Sequence, residues 1–142
     1  LNAKMEPWTR PLFDVLKEYY STKEIARMLE EETIEISPLA FMRGRTFKKA
    51  WIVADEMQNA TPSQMKMLLT RLGEGSKIVV TGDVKQADRS DVKNGLLNLS
   101  SLIGGHLFDE KKLNFIRSCQ FSNKDIERHP AVTEVLELYG EK

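Results

Sequence analysis

Apolar and polar positions alternate in two rhythms along this chain, one helical and one extended. Trp8, Leu12, Val15, Leu16 and Tyr19 recur at helical spacing, which predicts a first helix with Pro11 in its opening turn. Ser21 and Glu24 form a Ser-x-x-Glu capping box ahead of Ile25, Met28 and Leu29, predicting a second helix that ends in the acidic run Glu30, Glu31, Glu32. Residues 33–36 read as a short extended segment before Ser37-Pro38, because the residue before a proline is pushed out of the helical region. Residues 50–54 are then apolar at every position, the mark of a parallel strand covered on both faces. Thr61, Pro62 and Gln64 signal a helix start, Met65, Leu68, Leu69 and Leu72 supply its apolar stripe, and Gly73 is its expected stop. A second β-branched strand follows over 78–81. Strand, helix and strand within about thirty residues make a βαβ unit with a right-handed crossover. Beyond it the pattern predicts a helix over 92–103, a strand over 113–116 and a helix over 125–139 interrupted at His129-Pro130. Val132, Val135, Leu136 and Tyr139 are the expected buried face of that last helix. The fold class is therefore α/β, a mostly parallel sheet flanked by helices, read as one domain over 1–142.

Composition narrows the function. The chain has 142 residues, with 21 Lys and Arg against 21 Asp and Glu, so its formal net charge is zero. A neutral chain has no global attraction for nucleic acid or anionic lipid, and any polyanion contact must be a local patch. No apolar run approaches the roughly 20 residues of a membrane span, and no membrane partner is expected. Cys119 is the single cysteine, which excludes a disulfide framework and a thiolate zinc site and makes a cytoplasmic setting the expectation. His106 and His129 have no partners at metal-ligand spacing.

The acidic residues that end the two strands carry the chemistry. Ligands of open parallel sheets bind beyond the carboxyl ends of the strands. Asp55-Glu56 follows the first strand and Asp83 the second, and the βαβ connection places them at one edge. An apolar strand followed by two carboxylates suits a hydrated Mg²⁺ held by the first and an attacking water oriented by the second. Gly82-Asp83-x-x-Gln86 adds a close backbone approach, a third carboxylate and an amide able to sense a terminal phosphate. Arg43 and Arg45 flank Gly44 in a compact basic turn able to contact phosphate on a nucleotide, a neighbouring subunit or RNA, or simply to stand in solvent. Arg128, set before His129-Pro130, is placed to act as an arginine finger toward another subunit's nucleotide, or equally to pair with Asp125 or Glu127. These residues suit hydrolysis of a nucleoside triphosphate, and two other readings stand beside it. One is a Mg²⁺-dependent nuclease using Asp55, Glu56 and Asp83 as a two-metal cluster. The other is a non-catalytic RNA-binding or assembly module.

Six segments occur in an order and spacing that resemble the PhoH-like family: 36–46 (ISPLAFMRGRT), 52–59 (IVADEMQN), 64–68 (QMKML), 70–73 (TRLG), 77–86 (KIVVTGDVKQ) and 128–130 (RHP). The resemblance implies a RecA-like P-loop ATPase core that binds ATP and Mg²⁺, forms homo-oligomeric rings and is linked to RNA handling. Under it Asp55-Glu56 is the Walker B pair, with Asp55 on the metal and Glu56 catalytic, and Gly82-Asp83-x-x-Gln86 is the motif that couples nucleotide state to a partner. A P-loop needs Gly-x-x-x-x-Gly-Lys-Ser/Thr, and none of the 8 glycines here precedes a lysine. In the family that loop lies upstream of all six segments. The expectation is an N-terminal portion ahead of Leu1 that carries it, with this fragment inactive by itself.

Overall fold

A computed structural model describes residues 6–86, 93–122, 125 and 127–140. In chain order the elements are α1 (Glu6–Tyr19), α2 (Thr22–Glu30), β1 (Trp51–Ala54), α3 (Pro62–Leu69), β2 (Lys77–Val80), α4 (Gly95–Phe108) and α5 (Pro130–Leu138), with 3₁₀ turns at Leu39–Met42 and Met57–Asn59. The chain divides into two compact units, Leu1–Leu99 and Ser100–Lys142, with the boundary inside α4. Among the described residues no helix is long and apolar enough to cross a membrane.

The βαβ unit of the first unit has the predicted sense. β1 and β2 pair in parallel, with Trp51 opposite Lys77, Ile52 opposite Ile78, Val53 opposite Val79 and Ala54 opposite Val80. Pairing is prepared upstream by a lone bridge between Phe47 and Leu72. Ser76 pins that entry: its Oγ donates to the Phe47 carbonyl at 2.8 Å and accepts the Ala50 N–H at 2.9 Å. Both predicted capping boxes form. Ser21 and Glu24 start α2, and Thr61 and Gln64 start α3 with Pro62 at its first position. The core is Met42, Ala54, Met57, Ala60, Met65 and Leu68, with Leu39, Phe47, Val80, Leu96 and Leu99 packed around it.

Several expectations are corrected. β1 is covered on one face only: Ala54 is buried, whereas Trp51 and Val53 on the opposite face are exposed. Among the described residues its strand neighbour is β2 alone, and α3 contributes its apolar stripe to the Ala54 side. Lys77 lays its ammonium over the Trp51 ring at 5.5 Å. α3 stops at Leu69, before Gly73, and the Thr70 hydroxyl at its end bonds back onto the carbonyls of Lys66 and Met67 at 2.9 and 3.0 Å. Gly73 instead donates its N–H to the Phe47 carbonyl at 2.7 Å, so closely that a β-carbon there would meet that oxygen. α1 begins early enough that Pro11 lies in its interior, past the opening turn, and Leu12, Val15 and Tyr19 are exposed.

Residues 33–36 and 113–116 form no strand, since neither finds a ladder partner among the described residues. α4 runs to Phe108, five residues beyond the predicted end, and its predicted start at Val92 lies outside the described residues. The predicted interruption at His129-Pro130 is present: α5 begins at Pro130, with His129 Nδ1 accepting the Ala131 N–H at 3.2 Å, and residues 127–129 are not helical. No residue of α5 is buried, and the expected face of Val132, Val135, Leu136 and Tyr139 is open or half-open.

Candidate active site

The carboxyl ends of β1 and β2 lie side by side, because the strands run parallel in register. Asp55 is the first residue past β1. Its Oδ1 accepts the Thr81 hydroxyl at 2.5 Å and the Glu56 N–H at 3.0 Å, and no described residue bonds Oδ2. The backbone repeats the tie: Thr81 N–H donates to the Ala54 carbonyl at 2.9 Å and Met57 N–H to the Thr81 carbonyl at 3.1 Å. Asp55 is therefore fixed in direction through Oδ1.

Glu56 follows in the left-handed region, at φ 55° and ψ 36°. A non-glycine residue rarely adopts this conformation without a surrounding structure that imposes it. Here the 3₁₀ turn Met57–Asn59 begins at once, and the buried Met57 anchors it in the core. The turn also buries Gln58, which is only 3% exposed. The Gln58 amide spans both loops: Nε2 donates to Glu56 Oε2, and Oε1 accepts the Asp83 N–H at 3.1 Å. Gly82 permits the approach, since a β-carbon there would lie 2.4 Å from Gln58 Oε1 and 2.9 Å from Leu96 Cδ2. A side chain at 82 would evict the amide.

The second loop is shaped by Asp83. Its Oδ1 accepts the Lys85 N–H at 2.9 Å and its carbonyl accepts the Gln86 N–H at 3.0 Å, forming a turn that presents Gln86 to solvent. Asn94 closes the far side of this loop, donating to the Val84 carbonyl at 3.2 Å and accepting the Leu97 N–H at 3.0 Å in the first turn of α4.

The structure thus brings together Asp55, Glu56, Asp83 and Gln86 at one sheet edge. Among the described residues no group of three His, Cys, Asp or Glu side chains is disposed to hold a metal ion, so Asp55, Glu56 and Asp83 do not assemble the cluster of a two-metal nuclease. The basic turn splits in two. Arg43 is exposed, whereas Arg45 makes a bidentate pair with Glu35 at 2.5 and 2.9 Å and stacks over Phe47 at 4.5 Å. That pairing holds the Glu35 carboxyl below its ordinary value and raises Arg45. Arg128 lies in the second unit, exposed, just ahead of α5.

Two residues of this site escape sequence reasoning. Thr81 reads as the last β-branched residue of a strand, yet its hydroxyl orients Asp55. Gln58 sits within the 52–59 segment, but nothing in a single sequence reveals that its amide is buried or where its two ends point. The pairing that could have been anticipated is Gly82 with a bulky polar neighbour, because a glycine at a strand end marks a close approach.

A family profile described as "PhoH-like protein" matches residues 1–140. A PhoH-like protein of Bacillus subtilis is 41% identical over 143 residues, covering 100% of this chain and 43% of its own length. One of Synechocystis is 40% identical over 139 residues, covering 98% of this chain and 40% of its own. The protein PhoH of Escherichia coli K12 is 46% identical over 87 residues, 60% of this chain and 25% of its own. The chain spans about two fifths of the length of the first two relatives. With its parallel βαβ unit and acidic strand ends, the chain belongs to the PhoH-like family, whose fold is that of the P-loop nucleoside triphosphatases.

Proposed function

We propose that this chain supplies the Walker B and sensor half of an ATP-hydrolysing site, and that the phosphate-cradling loop is contributed by sequence upstream of it in the complete protein. The observation that carries the reading is the joining of the two acidic loops at one sheet edge through the Thr81 hydroxyl and the Gln58 amide. Mg²⁺ keeps most of its waters and takes one or two carboxylates together with substrate phosphates. An exposed Asp55 whose direction is set by the Thr81 hydroxyl fits that demand. When bound, the ion would neutralise phosphate charge that develops during hydrolysis.

Glu56 orients the attacking water and takes its proton, held for that task by its left-handed backbone and by Gln58. Gln86, exposed beyond the Asp83 turn, senses the terminal phosphate. Arg43 is a free phosphate ligand on this reading, whereas Arg45 serves phosphate only by exchanging it for Glu35. Arg128 acts on a neighbouring copy's nucleotide in a homo-oligomeric ring. Coupling to RNA and a cytoplasmic setting complete the proposal. Taken alone, the segment is inactive.

The test is Glu56→Gln in the complete protein. ATP binding should persist while turnover falls about 100-fold or more, the usual contribution of a positioned general base. Full hydrolysis by that variant removes Glu56 from the chemistry. A complete protein that binds no nucleotide favours the non-catalytic RNA-binding or assembly module instead.

A further inference from the structure

Gln58 is the most deeply enclosed polar side chain near the acidic loops, and its orientation follows from its partners. The Asp83 backbone N–H can only donate, so the amide oxygen must face it. The NH₂ group is thereby turned to the Glu56 carboxylate, which can only accept when ionised. The link is continuous at both ends. Gln86 N–H donates to the Asp83 carbonyl, Asp83 N–H to the Gln58 amide, and the Gln58 amide to Glu56. No apolar side chain of similar size could occupy this place without leaving the Asp83 N–H and a Glu56 oxygen unpaired.

We propose that Gln58 is a positioning residue that couples the two loops. Its amide holds the Glu56 carboxylate in its working direction, and it passes displacement of the Gln86 turn to that carboxylate through the Asp83 N–H. The inference rests on the ATPase reading above and deepens it with a coupling role for a buried side chain. Gly82 belongs to the same device, since only a residue without a β-carbon lets the loop reach the amide.

The experiment compares Gln58→Met and Gln58→Glu with the native complete protein, reading ATP affinity, kcat, melting temperature and amide hydrogen exchange over residues 81–86. Gln58→Met keeps the volume and loses both hydrogen bonds. It should lower kcat about 10- to 100-fold, the usual cost of losing an orienting partner, with ATP affinity within about twofold and faster exchange over 81–86. Gln58→Glu carries the sharper signature. Ionised, Glu at position 58 repels Glu56 and has no proton to donate; protonated, it restores one donor and one acceptor in the amide's places. Burial beside another carboxylate raises the pKa of such a group. The deficit of Gln58→Glu relative to native should therefore shrink as the pH is lowered from about 8 toward about 6.

A merely structural role would move melting temperature and ATP affinity together and give no acid recovery. Native kcat in Gln58→Met, or a Gln58→Glu profile parallel to native, overturns the proposal. A native complete protein that does not hydrolyse ATP overturns the ATPase reading first. Exchange over 81–86 that still depends on Gln58 in that inactive protein would identify the residue as a packing tie and end its positioning role.

Discussion

The βαβ segment of the first unit and the second unit handle their apolar residues in opposite ways. Between β1 and β2, Ala54, Met57, Ala60, Met65 and Leu68 are all buried. In the second unit no described residue is buried, and Leu102, Phe108, Phe115, Phe121, Leu138 and Tyr139 are exposed. The sequence of either region has enough large apolar side chains for a core, so apolar content does not separate them. Closure does. A parallel strand pair with its crossover helix brings three apolar surfaces together over a short stretch of chain, and the loops at its end inherit that rigidity. No residue of α5 is buried, and its apolar stripe is open or half-open. Rigidly aimed carboxylates belong to the closed region, and there the acidic loops are tied by Thr81 and Gln58.

The strongest way to break that contrast is a pair of truncations. Met65 is 2% exposed and Phe115 is 99% exposed. Met65→Ala should cost about 2–5 kcal/mol, the range for emptying a closed core site. Phe115→Ala should stay within about 0.5 kcal/mol, as for a surface change. Urea unfolding of both variants measures the difference. Equal losses would mean that the second unit holds a core after all, and the contrast would fall.

What could be read in advance follows the same divide. The βαβ unit, both capping boxes and the shared edge of Asp55 and Asp83 were legible because they depend on short-range signals and a connection of fixed hand. Residues 113–116 looked like a strand because they include Leu113, Phe115 and Ile116, but a strand needs a ladder partner, and apolar character does not supply one. An all-apolar β1 predicts cover on both faces, yet coverage depends on which elements pack against it; Trp51 and Val53 remain open. Residue type makes Gly73 the expected stop of α3, whereas the helix ends at Leu69, ahead of the loop that carries Gly73 onto Phe47. The Arg45 pairing with Glu35 and the Gln58 bridge join residues 10 and 25 positions apart, and such encounters are set by the tertiary path.

A smaller effect sharpens the local half of the contrast. Thr61 accepts the Gln64 N–H at 3.1 Å while Gln64 Oε1 accepts the Thr61 N–H at 2.9 Å. Thr61→Ala removes the hydroxyl half of the box and should cost about 1 kcal/mol in urea unfolding, with Thr61→Ser recovering most of it. A loss far above this would show that Thr61 also shapes the turn carrying Gln58, which precedes it by three residues. A loss near zero would show that α3 is held by Met65 and Leu68 alone.

The smallest expected effect concerns the ion pair at the basic turn. Arg45 keeps the Glu35 carboxyl below its ordinary value of 4.5, chiefly through the direct hydrogen bond. A carboxyl with a depressed folded value contributes stability that is fully present above the unfolded value near 4.5 and is lost as the pH falls through the lower folded one. Both side chains are about two fifths exposed, so solvent screening limits the pair to roughly 0–1 kcal/mol. Glu35→Gln should therefore be slightly less stable than native at pH 7, and the gap should close as the pH is taken well below 4.5 or as salt is raised. Urea midpoints across a pH series measure it. A gap that persists in acid would place the contribution of Glu35 in something other than its charge on Arg45.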